Sequence, residues 1–376
     1  MSKLSINLLT FNGEKYLDPC LESVRCQIFR DFQLLIIDNG SKDKTREKIE
    51  VWRNIFGKEG AVFKTIYNET NVGFAEGHNM GIAESQKSKV KSQKYVCCLN
   101  QDIILAPDYL TYVVEFMDAH PECGSASGKL MRITDEMFYA NKRKSESEST
   151  LILDYDKLKR ECNIIDSAGL KIFKSQRVIE IGQGEEDNGQ YDNVKEVFGV
   201  SGTVPVYRMS ALEDVKTSQK SKVKSQKFGE VENFEYFDKE FGSYKEDIDL
   251  AYRLRWSGWK SYVISTAVAY HKRGAKQLSK SASDFTAAFN RKKKSKYTNY
   301  CSQRNQIWTL VKNMDRLNFA IIWYEGKKFI YELIFEWDTF KAWIDALKKI
   351  GVMREKRKWI MENRKIFGEE MGKWYE

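Results

Sequence analysis

Several features that mark common protein classes are missing from this sequence. No apolar run approaches the roughly 18 residues that a membrane span needs, and we find no signal peptide. The seven cysteines include no CxxC pair and show no repeated spacing, so we interpret them as reduced core residues. These absences favour a cytoplasmic protein, either free or held peripherally at the inner face of the cytoplasmic membrane.

The glycine pattern that binds dinucleotides is also missing. A dinucleotide-dependent dehydrogenase should carry GxGxxG directly after its first strand. Here the predicted first strand, Lys3–Thr10, is followed by Phe11-Asn12-Gly13-Glu14. The sequence therefore excludes that class of oxidoreductase, although a hydrophobic fraction of 42% supports a folded chain.

The net charge of +9 suggests nucleic-acid binding, but its distribution argues against that function. The decapeptide SQKSKVKSQK occurs at Ser85–Lys94 and again at Ser218–Lys227, and each copy carries four lysines and no acid. The two copies together contribute +8 of the net charge of +9. We interpret both as solvated loop insertions and expect no nucleic-acid partner, because no broad basic face remains.

Strand-like and helix-like segments alternate through the first 130 residues. Continuous apolar runs predict buried strands, and apolar residues at helical spacing predict helices between them. The predicted strands are Lys3–Thr10, Phe32–Asp38, Ala61–Tyr67 and Tyr95–Leu99, and the predicted helices are Gly13–Cys26, Thr45–Phe56, Gly73–Ser85 and one that starts at Pro107. This order predicts an α/β fold with a mostly parallel central sheet.

Polar residues cluster directly after three of these strands. The clusters are Thr10-Phe11-Asn12, Asp38-Asn39-Gly40-Ser41 and Asn100-Gln101-Asp102. Such residues commonly form turns and helix caps, which would explain one cluster without any function. Three clusters on one sheet edge favour a ligand site, since open α/β sheets bind ligands at the carboxyl ends of their strands.

Three residues are candidates for chemistry. Asp102 follows a buried strand and could hold a divalent metal, while Asp247 opens a predicted helix, Tyr244–Arg255, and could act as a general base. Acids in a first helical turn also stabilise the helix through its dipole, so spacing alone does not show whether Asp247 is a base or only a helix-stabilising residue. His271 ends the predicted strand Lys260–Tyr270 and becomes a second metal ligand if Asp102 lies nearby.

The last 76 residues hold six of the nine tryptophans. Segment Lys327–Gly351 has apolar residues at helical spacing and predicts one amphipathic helix. Its apolar stripe comprises Ile330, Leu333, Trp337, Phe340, Ile344 and Leu347, and basic residues follow from Lys348 to Lys365. Packing on the protein body, homodimer contact and peripheral membrane contact all remain open for this extension.

The ordered motifs resemble the family 2 glycosyltransferases, most closely their bacterial rhamnosyltransferase-like branch. The matching segments are SINLLTFNGEKYLDPCLESV, LLIIDNGSKDKT, NVGFAEGHNMGI, YVCCLNQDIILAPDYL, FDKEFGSYKEDIDLAYRLRWSGW and YHKRG, with a weaker RNQIWTLVKN. The resemblance implies a GT-A fold. It divides the chain into a nucleotide-sugar half (1–131), an acceptor and catalytic half (132–275) and a C-terminal helical extension (276–376).

The resemblance also assigns roles to individual residues. It implies donor binding by Thr10, Asn12, Asp38, Asn39, Asn71, Gly73, Asn79, Asn100 and Asp102, catalysis by Asp247, an acceptor side shaped by Glu246, Arg253 and Trp259, and metal binding by Asp102 with His271. The family's usual Asp-x-Asp is replaced by Asn100-Gln101-Asp102. The loss of one carboxylate implies weak or optional use of Mg²⁺ or Mn²⁺.

These assignments together imply an inverting glycosyltransferase. The expected donor is a nucleotide-diphosphate sugar, with rhamnose as the first expectation, and the expected acceptor is a glycan or lipid-linked glycan of the bacterial cell envelope. A transferase for another hexose, such as galactofuranose or glucose, is one alternative. A non-catalytic module that only binds nucleotide sugars is another, because a fold does not fix a function.

Overall fold

The computed structural model describes residues 2–87, 93–140, 142–144, 151–219, 233–273, 291 and 294–376. Half of the first decapeptide (88–92) and most of the second (220–227) lie outside these ranges, so the predicted loop character of those residues is not addressed. The start of the first copy is described. Ser85 and Gln86 form the end of a helix and Ser85 is buried, so this copy does not begin in a solvated loop as predicted.

One central sheet contains ten of the strands in the described residues. They are β1 (Leu4–Thr10), β2 (Phe32–Asp38), β3 (Val62–Tyr67), β4 (Tyr95–Asn100), β5 (Ile103–Leu105), β6 (Cys123–Arg132), β9 (Ile165–Ser167), β12 (Lys195–Val197), β13 (Val206–Arg208) and β16 (Lys260–His271). Short two-stranded pairs form outside it: β7 (Lys142–Lys144) with β8 (Leu151–Leu153), β10 (Leu170–Ile172) with β11 (Val178–Glu180), and β14 (Thr217–Gln219) with β15 (Asn233–Glu235).

The sheet order is β12-β16-β6-β13-β4-β1-β2-β3, with β5 on β16 and β9 on β6. The strands β4, β1, β2 and β3 run parallel, as do β16 and β6, and β13 joins the two groups antiparallel to both neighbours. The mostly parallel sheet predicted from the sequence is confirmed. It crosses the boundary expected near residue 131, because strands from both expected halves belong to it.

Helices cover the sheet and form the C-terminal region. They are α1 (Leu17–Arg25), α2 (Thr45–Lys58), α3 (Phe74–Gln86), α4 (Tyr109–Ala119), α5 (Asp135–Ala140), α6 (Tyr155–Glu161), α7 (Met209–Val215), α8 (Glu246–Trp256), α9 (Lys296–Asn313), α10 (Phe319–Phe335), α11 (Trp337–Lys348), α12 (Ile350–Asn363) and α13 (Gly368–Gly372), with a 3₁₀ turn at Lys239–Phe241. No helix within the described residues has the length and apolar character to cross a lipid bilayer.

The core explains why the early strands are so apolar. The side chains of β1 and β4 are almost all buried, and Cys97 and Cys98 are buried free thiols, as the sequence predicts. Strand β3 differs because it lies at the edge of the sheet and its side chains are partly exposed. A continuous apolar run therefore indicates a central strand that is buried on both faces. The edge strand β3 is buried on only part of its surface.

The predicted single helix Lys327–Gly351 is wrong. The chain breaks at Glu336 and again at Lys349, giving α10, α11 and α12. The break at Glu336 lets α10 and α11 pack against each other, with the Phe329 ring in edge contact with Phe340 and Trp343. Periodicity did not reveal the break, because two consecutive helices that pack against each other can show the same spacing of apolar residues as one long helix.

Buried ion pairs fasten the C-terminal helices to the sheet domain. Lys312 of α9 is fully buried, and its ammonium lies 2.6 Å from Asp238 and 2.8 Å from Asp249 of α8. Lys356 of α12 is 2.6 Å from Glu235 and also pairs with Asp238. Each charge would be costly to bury alone, so this arrangement fixes the position of α9 and α12 beside the start of α8.

Candidate active site

The carboxyl ends of three parallel strands meet at one edge of the sheet. The register pairs Thr10 of β1 with Asp38 of β2, and Leu9 of β1 with Asn100 of β4. Thr10, Asp38 and Asn100 therefore lie side by side, where an open α/β sheet binds its ligand. The three polar clusters identified in the sequence are brought together by this register.

Gln101 connects two of these clusters, a role that sequence reasoning missed. Its side-chain carbonyl accepts hydrogen bonds from Thr10 Oγ1 at 2.5 Å and from the Phe11 N–H at 3.0 Å. Its amide donates back to the Phe11 carbonyl at 3.2 Å. The glutamine in the middle of Asn100-Gln101-Asp102 thus fixes the loop after β1, and its position within that motif was the only available signal.

Asp38 and Asn39, at the carboxyl end of β2, are buried at this edge of the sheet. Asp38 accepts from Arg46 Nε at 2.6 Å and from the Ser41 N–H at 3.2 Å. Asn39 donates to Asn71 Oδ1 at 2.9 Å and to the Gly73 carbonyl at 3.1 Å. Asn39 therefore holds the segment before α3 against the end of β2.

Asn12 and Gly73 adopt left-handed backbone conformations, with φ of 48° and 90°. Asn12 donates its N–H to Ser41 Oγ and accepts from the Lys42 N–H, which closes the loops after β1 and β2 on each other. A Cβ at Gly73 would lie 2.9 Å from the Gly242 carbonyl oxygen, so glycine is required for this close approach. The backbone at this edge is held in one arrangement.

Asn79 does not lie free beside a donor site. Its side-chain oxygen accepts from the N–H groups of Tyr236 and Phe237, and its amide donates to the Phe237 carbonyl at 2.7 Å. These bonds are long-range in sequence, so Asn79 joins α3 to the segment before α8. The expected contact of Asn79 with a ribose or diphosphate stays a prediction.

Asp102 and His271 lie together, as their roles as metal ligands require. His271 Nε2 is 3.4 Å from Asp102 Oδ2, and the Asp102 side chain remains 26% exposed. The second ring nitrogen, Nδ1, lies 2.7 Å from Oδ2 of the fully buried Asp166. Burial alone would lower the pKa of His271, but the two carboxylates outweigh burial and raise it to about 9.

The arrangement of these three residues fits a divalent metal held by few protein ligands. A metal-bound histidine usually donates its other N–H to a carboxylate, and Asp166 is placed to accept it. Among the described residues, no three His, Cys, Asp or Glu side chains form a complete metal cage. Asp102 and Nε2 of His271 would hold the ion, and ligand oxygens would have to complete its shell.

Asp247 is positioned by backbone donors at the start of α8. Its Oδ2 accepts from the Gly202 N–H at 2.9 Å and its Oδ1 from the Ile248 N–H at 2.8 Å. Burial raises its pKa above the ordinary aspartate value, and these two N–H groups and Lys245 only partly oppose that rise. A carboxylate with a raised pKa binds a proton more readily, which suits a general base.

A chain of contacts links Asp247 to the Asp102–His271 pair. Ser201, next to Gly202, donates to Glu180 Oε1 at 3.0 Å. Arg273 lies 3.7 Å from Glu180 and 3.0 Å from Asp166, the partner of His271. Sequence reasoning did not identify four of these residues, because each lies in a short or irregular segment without a periodic signal. They are Asp166, Glu180, Ser201 and Arg273.

The same stretch also connects to the strand ends. The Asn100 N–H donates to the Thr203 carbonyl at 3.1 Å, and Thr203 follows the glycine that holds Asp247. Asn100 is thus fixed through its backbone. Residues 201–203 therefore bond to the polar edge of the sheet through Thr203 and to the Asp247 carboxylate through Gly202.

Three residues expected on the acceptor side lie in different environments. Glu246 is buried, and burial together with Asp247 raises its pKa well above the ordinary value. Arg253 is also buried and donates to Asp249, the Val215 carbonyl and the Tyr236 carbonyl. Trp259 follows the far end of α8 and donates to Asp214 at 3.1 Å. Arg253 and Trp259 therefore bond groups around α8, and the expected acceptor role of all three residues stays a prediction.

Comparison with known proteins finds a family match in the first half of the chain. Residues 5–177 match the sequence model of Glycosyl transferase family 2. An uncharacterized glycosyltransferase of Haemophilus influenzae is 32% identical over 117 residues, which is 31% of this chain and 43% of that protein. Poly-beta-1,6-N-acetyl-D-glucosamine synthase of Staphylococcus epidermidis is 29% identical over 125 residues, 33% of this chain and 28% of that protein.

The aligned part spans less than half the length of these relatives. Among solved structures, the crystal structure of GalNAc-T7 with UDP, GalNAc and Mn²⁺ gives a TM-score of 0.55 at 13% sequence identity. That alignment covers 96% of this chain and 56% of the other. The likeness of architecture confirms the predicted GT-A fold.

Proposed function

We propose that this chain, which carries a family 2 glycosyltransferase region at residues 5–177, transfers a sugar from a nucleotide-diphosphate donor to an acceptor hydroxyl with inversion. The observation that carries the proposal is the chain of contacts that joins Asp247 to the Asp102–His271 pair. It runs through residues 201–202, Glu180, Arg273 and Asp166. This reaction needs a candidate metal site and a basic carboxylate near each other.

The polar edge of the sheet would hold the donor. We assign nucleoside and diphosphate binding to residues at this edge: Thr10, Asn12, Asp38, Asn39, Asn71, Gly73 and Asn100. Asn71 is exposed beside Gly73, and Arg46 holds Asp38 in place. The interlocked loops after β1 and β2 would present fixed hydrogen-bonding groups, so binding would require little reordering of the protein.

Asp102 and His271 would hold a divalent metal, with Asp166 fixing the orientation of the imidazole. The Mn²⁺ in the GalNAc-T7 structure supports a metal in this fold. A bound metal would neutralise the charge that develops on the leaving diphosphate. With one carboxylate instead of the family's two, we propose weak affinity for Mg²⁺ or Mn²⁺.

Asp247 would act as the general base. The acceptor oxygen attacks the anomeric carbon, the bond from that carbon to the donor phosphate breaks, and the nucleoside diphosphate leaves with the electron pair. Asp247 takes the proton of the acceptor hydroxyl, and Glu246 lies beside it. One displacement inverts the anomeric centre.

The transferred sugar is open between two proposals. The motifs resemble the rhamnosyltransferase-like branch, whereas one relative is named as an N-acetylglucosamine polymer synthase. Both alternatives point to a bacterial envelope glycan as the acceptor. A thermal-shift screen of nucleotide sugars with and without Mn²⁺ would choose between them, since a ligand of the native state raises the melting temperature.

Helix α10 supports a peripheral membrane contact. Its buried residues include Glu325 and Glu332, whereas Ile322, Trp323, Ile330, Ile334 and Phe335 are exposed. Within the part of the chain that the structure describes, this inverted pattern leaves an apolar face uncovered, and such faces mark interaction sites. We propose that the face of α10 and Trp337 rests on an anionic bilayer.

Charge favours a bilayer over a second copy of the chain as the occupant. Arg316 precedes α10 with a 93% exposed side chain, and Lys341 and Lys348 of α11 are also largely exposed. Each cation near an anionic surface contributes about 1 kcal/mol of attraction. Lys356 and Arg357, expected to join this basic region, are instead bonded to Glu235, Asp238 and main-chain carbonyls.

A direct assay separates the proposed enzyme from a module that only binds nucleotide sugars. The full chain is incubated with each nucleotide sugar that stabilises it, and release of nucleoside diphosphate is followed. Slow hydrolysis in the parent protein that is lost in Asp247→Asn supports the transferase. Binding of a nucleotide sugar with no release, in the presence or absence of acceptor extracts, would leave only the binding module.

A further inference from the structure

A cavity of about 510 Å³ adjoins the proposed base. Its wall includes Lys245 and Ile248, which bracket Asp247 in sequence, and Glu180. The opposite wall comes from α9 and α10, including Tyr324 and Tyr331. The cavity thus lies between the catalytic carboxylate and the C-terminal helices, and the proposed donor residues at the strand ends do not line it.

The lining is strongly basic. Among the described residues that line it, seven are lysine or arginine and one, Glu180, is acidic. Acids behind the wall neutralise part of this charge: Arg291 pairs with Glu332 and Glu336, and Lys328 pairs with Glu325 at 3.2 Å. Arg273 is shared between Asp166 and Glu180.

Two lysines of the lining, Lys245 and Lys294, have no carboxylate within ion-pair distance among the described residues. The Lys245 ammonium donates instead to the neutral Gln306 carbonyl at 2.8 Å. Burial and the nearby ammonium groups of Lys328 and Lys294 lower the pKa of Lys245 to about 7. Burial, Arg273 and Arg291 likewise lower the pKa of Lys294. Each lysine is therefore repelled by its neighbours, and an anion in the cavity would relieve that repulsion.

We propose that this cavity binds a phosphate group of the acceptor, so that the acceptor hydroxyl reaches Asp247 while Lys245 and Lys294 hold the phosphate. This inference rests on the proposed glycosyltransferase function and names its acceptor class. A phosphate oxygen bonded to ammonium groups makes a charge-assisted hydrogen bond, which is stronger than a neutral one. The hydroxyls of Tyr244, Tyr324 and Tyr331 line the same space and suit an adjoining sugar or polyol.

The phosphate could belong to a soluble polyol-phosphate chain or to a lipid carrier. Helix α10 bears on this question because its Lys328 and Tyr331 line the cavity while Ile330 and Ile334 form the exposed apolar face. Two probes separate the sources: glycerol 3-phosphate, and dodecyl phosphate dispersed in neutral dodecyl maltoside micelles.

The test is calorimetric binding of each probe to the full chain with UDP and Mn²⁺ present in excess, so that the donor site is filled. Lys294→Gln removes one unpaired charge from the cavity lining. Lys58→Gln, at the exposed end of α2 outside the cavity, makes the same charge change elsewhere. We expect Lys294→Gln to weaken probe binding about tenfold or more, since hydrogen bonds to charged groups are the strong ones, and Lys58→Gln to leave it unchanged. UDP affinity should be the same in all three proteins.

Each outcome decides the matter. Binding of glycerol 3-phosphate that depends on Lys294 supports a soluble phosphate acceptor, and Lys294-dependent binding of dodecyl phosphate alone supports a lipid phosphate. Binding of neither probe overturns the proposal. A loss of UDP affinity in Lys294→Gln equal to the loss of probe affinity also overturns it, because the cavity would then serve the donor diphosphate. Failure of the transferase proposal is seen separately, as absence of nucleotide-sugar turnover.

Discussion

The imidazole of His271 lies between two carboxylates, with Nδ1 2.7 Å from Asp166 and Nε2 3.4 Å from Asp102. Asp166 is fully buried and 105 residues away in sequence, whereas Asp102 is partly exposed. The two carboxylates therefore have different tasks. Asp166 orients the ring, and Asp102 is free to bind a ligand together with Nε2.

Asp102→Ala tests the proposed metal site. We expect it to weaken nucleotide-sugar binding in Mn²⁺ and to have little effect in EDTA. The measurement is the nucleotide-sugar Kd by calorimetry in both conditions, alongside Mn²⁺ binding followed by electron paramagnetic resonance. An equal loss in Mn²⁺ and EDTA would instead make Asp102 a structural residue of the loop after β4.

Asp247→Asn tests the general base. The amide keeps the shape of the side chain but cannot take the proton, so transfer should fall about a hundredfold or more. Donor affinity should change little, and a melting curve checks that the fold is kept. Asp214→Asn is the matched control, because Asp214 is a surface acid bonded to Trp259 and Lys365. Rates within a few-fold of the parent protein would remove Asp247 from the mechanism.

The pH dependence of transfer should reflect the environment of Asp247. The base works deprotonated and its pKa is raised by burial, so the rate should fall as pH decreases through a value above that of an ordinary aspartate. Burial, opposed by Arg273 and assisted by the charge of Asp247, raises the pKa of Glu180 to about 7, so Glu180 is already protonated where Asp247 titrates.

Glu180→Gln should leave the pKa of Asp247 nearly unchanged, because the glutamine replaces a carboxyl that is neutral in that pH range. The acid limb of the pH–rate profile should therefore stay in place, while Lys245 and Glu246 still face Asp247 in both proteins. The profile of kcat/KM is the relevant measurement, since it reports groups of the free enzyme. An acid limb that disappears in Glu180→Gln would assign it to Glu180 and contradict the role of Asp247.

Lys312→Met tests the attachment of the C-terminal helices. The substitution leaves Asp238 and Asp249 buried without this cation, which should cost about 3–5 kcal/mol of stability. Lys349→Met breaks an exposed pair with Glu240 and should cost about 1 kcal/mol or less. Urea unfolding of both variants measures the difference, and similar small losses would show that the buried network does not hold α9 in place.

Vesicle flotation tests the apolar face of α10 and Trp337. The parent chain should float with anionic vesicles at low salt, and added salt should release part of it because screening weakens attraction between exposed charges. Trp337→Glu should release the protein. Ile28→Glu, which changes an exposed apolar residue elsewhere, should not.

If the parent protein stays at the bottom of the gradient at low salt, the membrane contact is wrong. Sedimentation at increasing protein concentration would then show whether the same face joins two copies of the chain. The proposal that the cavity binds phosphate does not depend on this outcome, because glycerol 3-phosphate binding is measured without a bilayer.

The sequence predicted much of the sheet and part of the site. Strands β1, β2 and β4 were placed within a residue or two, because apolar runs and following polar turns are local properties. The same locality placed Asp102, Asp247 and His271 at the ends of elements. The extension was predicted less well, since one stripe of apolar residues does not show where a helix turns back.

The sequence by itself determined which residues could act: a carboxylate after β4, a carboxylate opening α8, and a histidine closing β16. Only the tertiary structure decided how they are used. It gave His271 a second carboxylate in Asp166, held Asp247 on the Gly202 N–H, and bonded Asn79 and Arg253 to main-chain groups. Local spacing cannot reveal these pairings, because buried polar groups take whichever partners the folded chain brings within hydrogen-bond distance, however far apart in sequence.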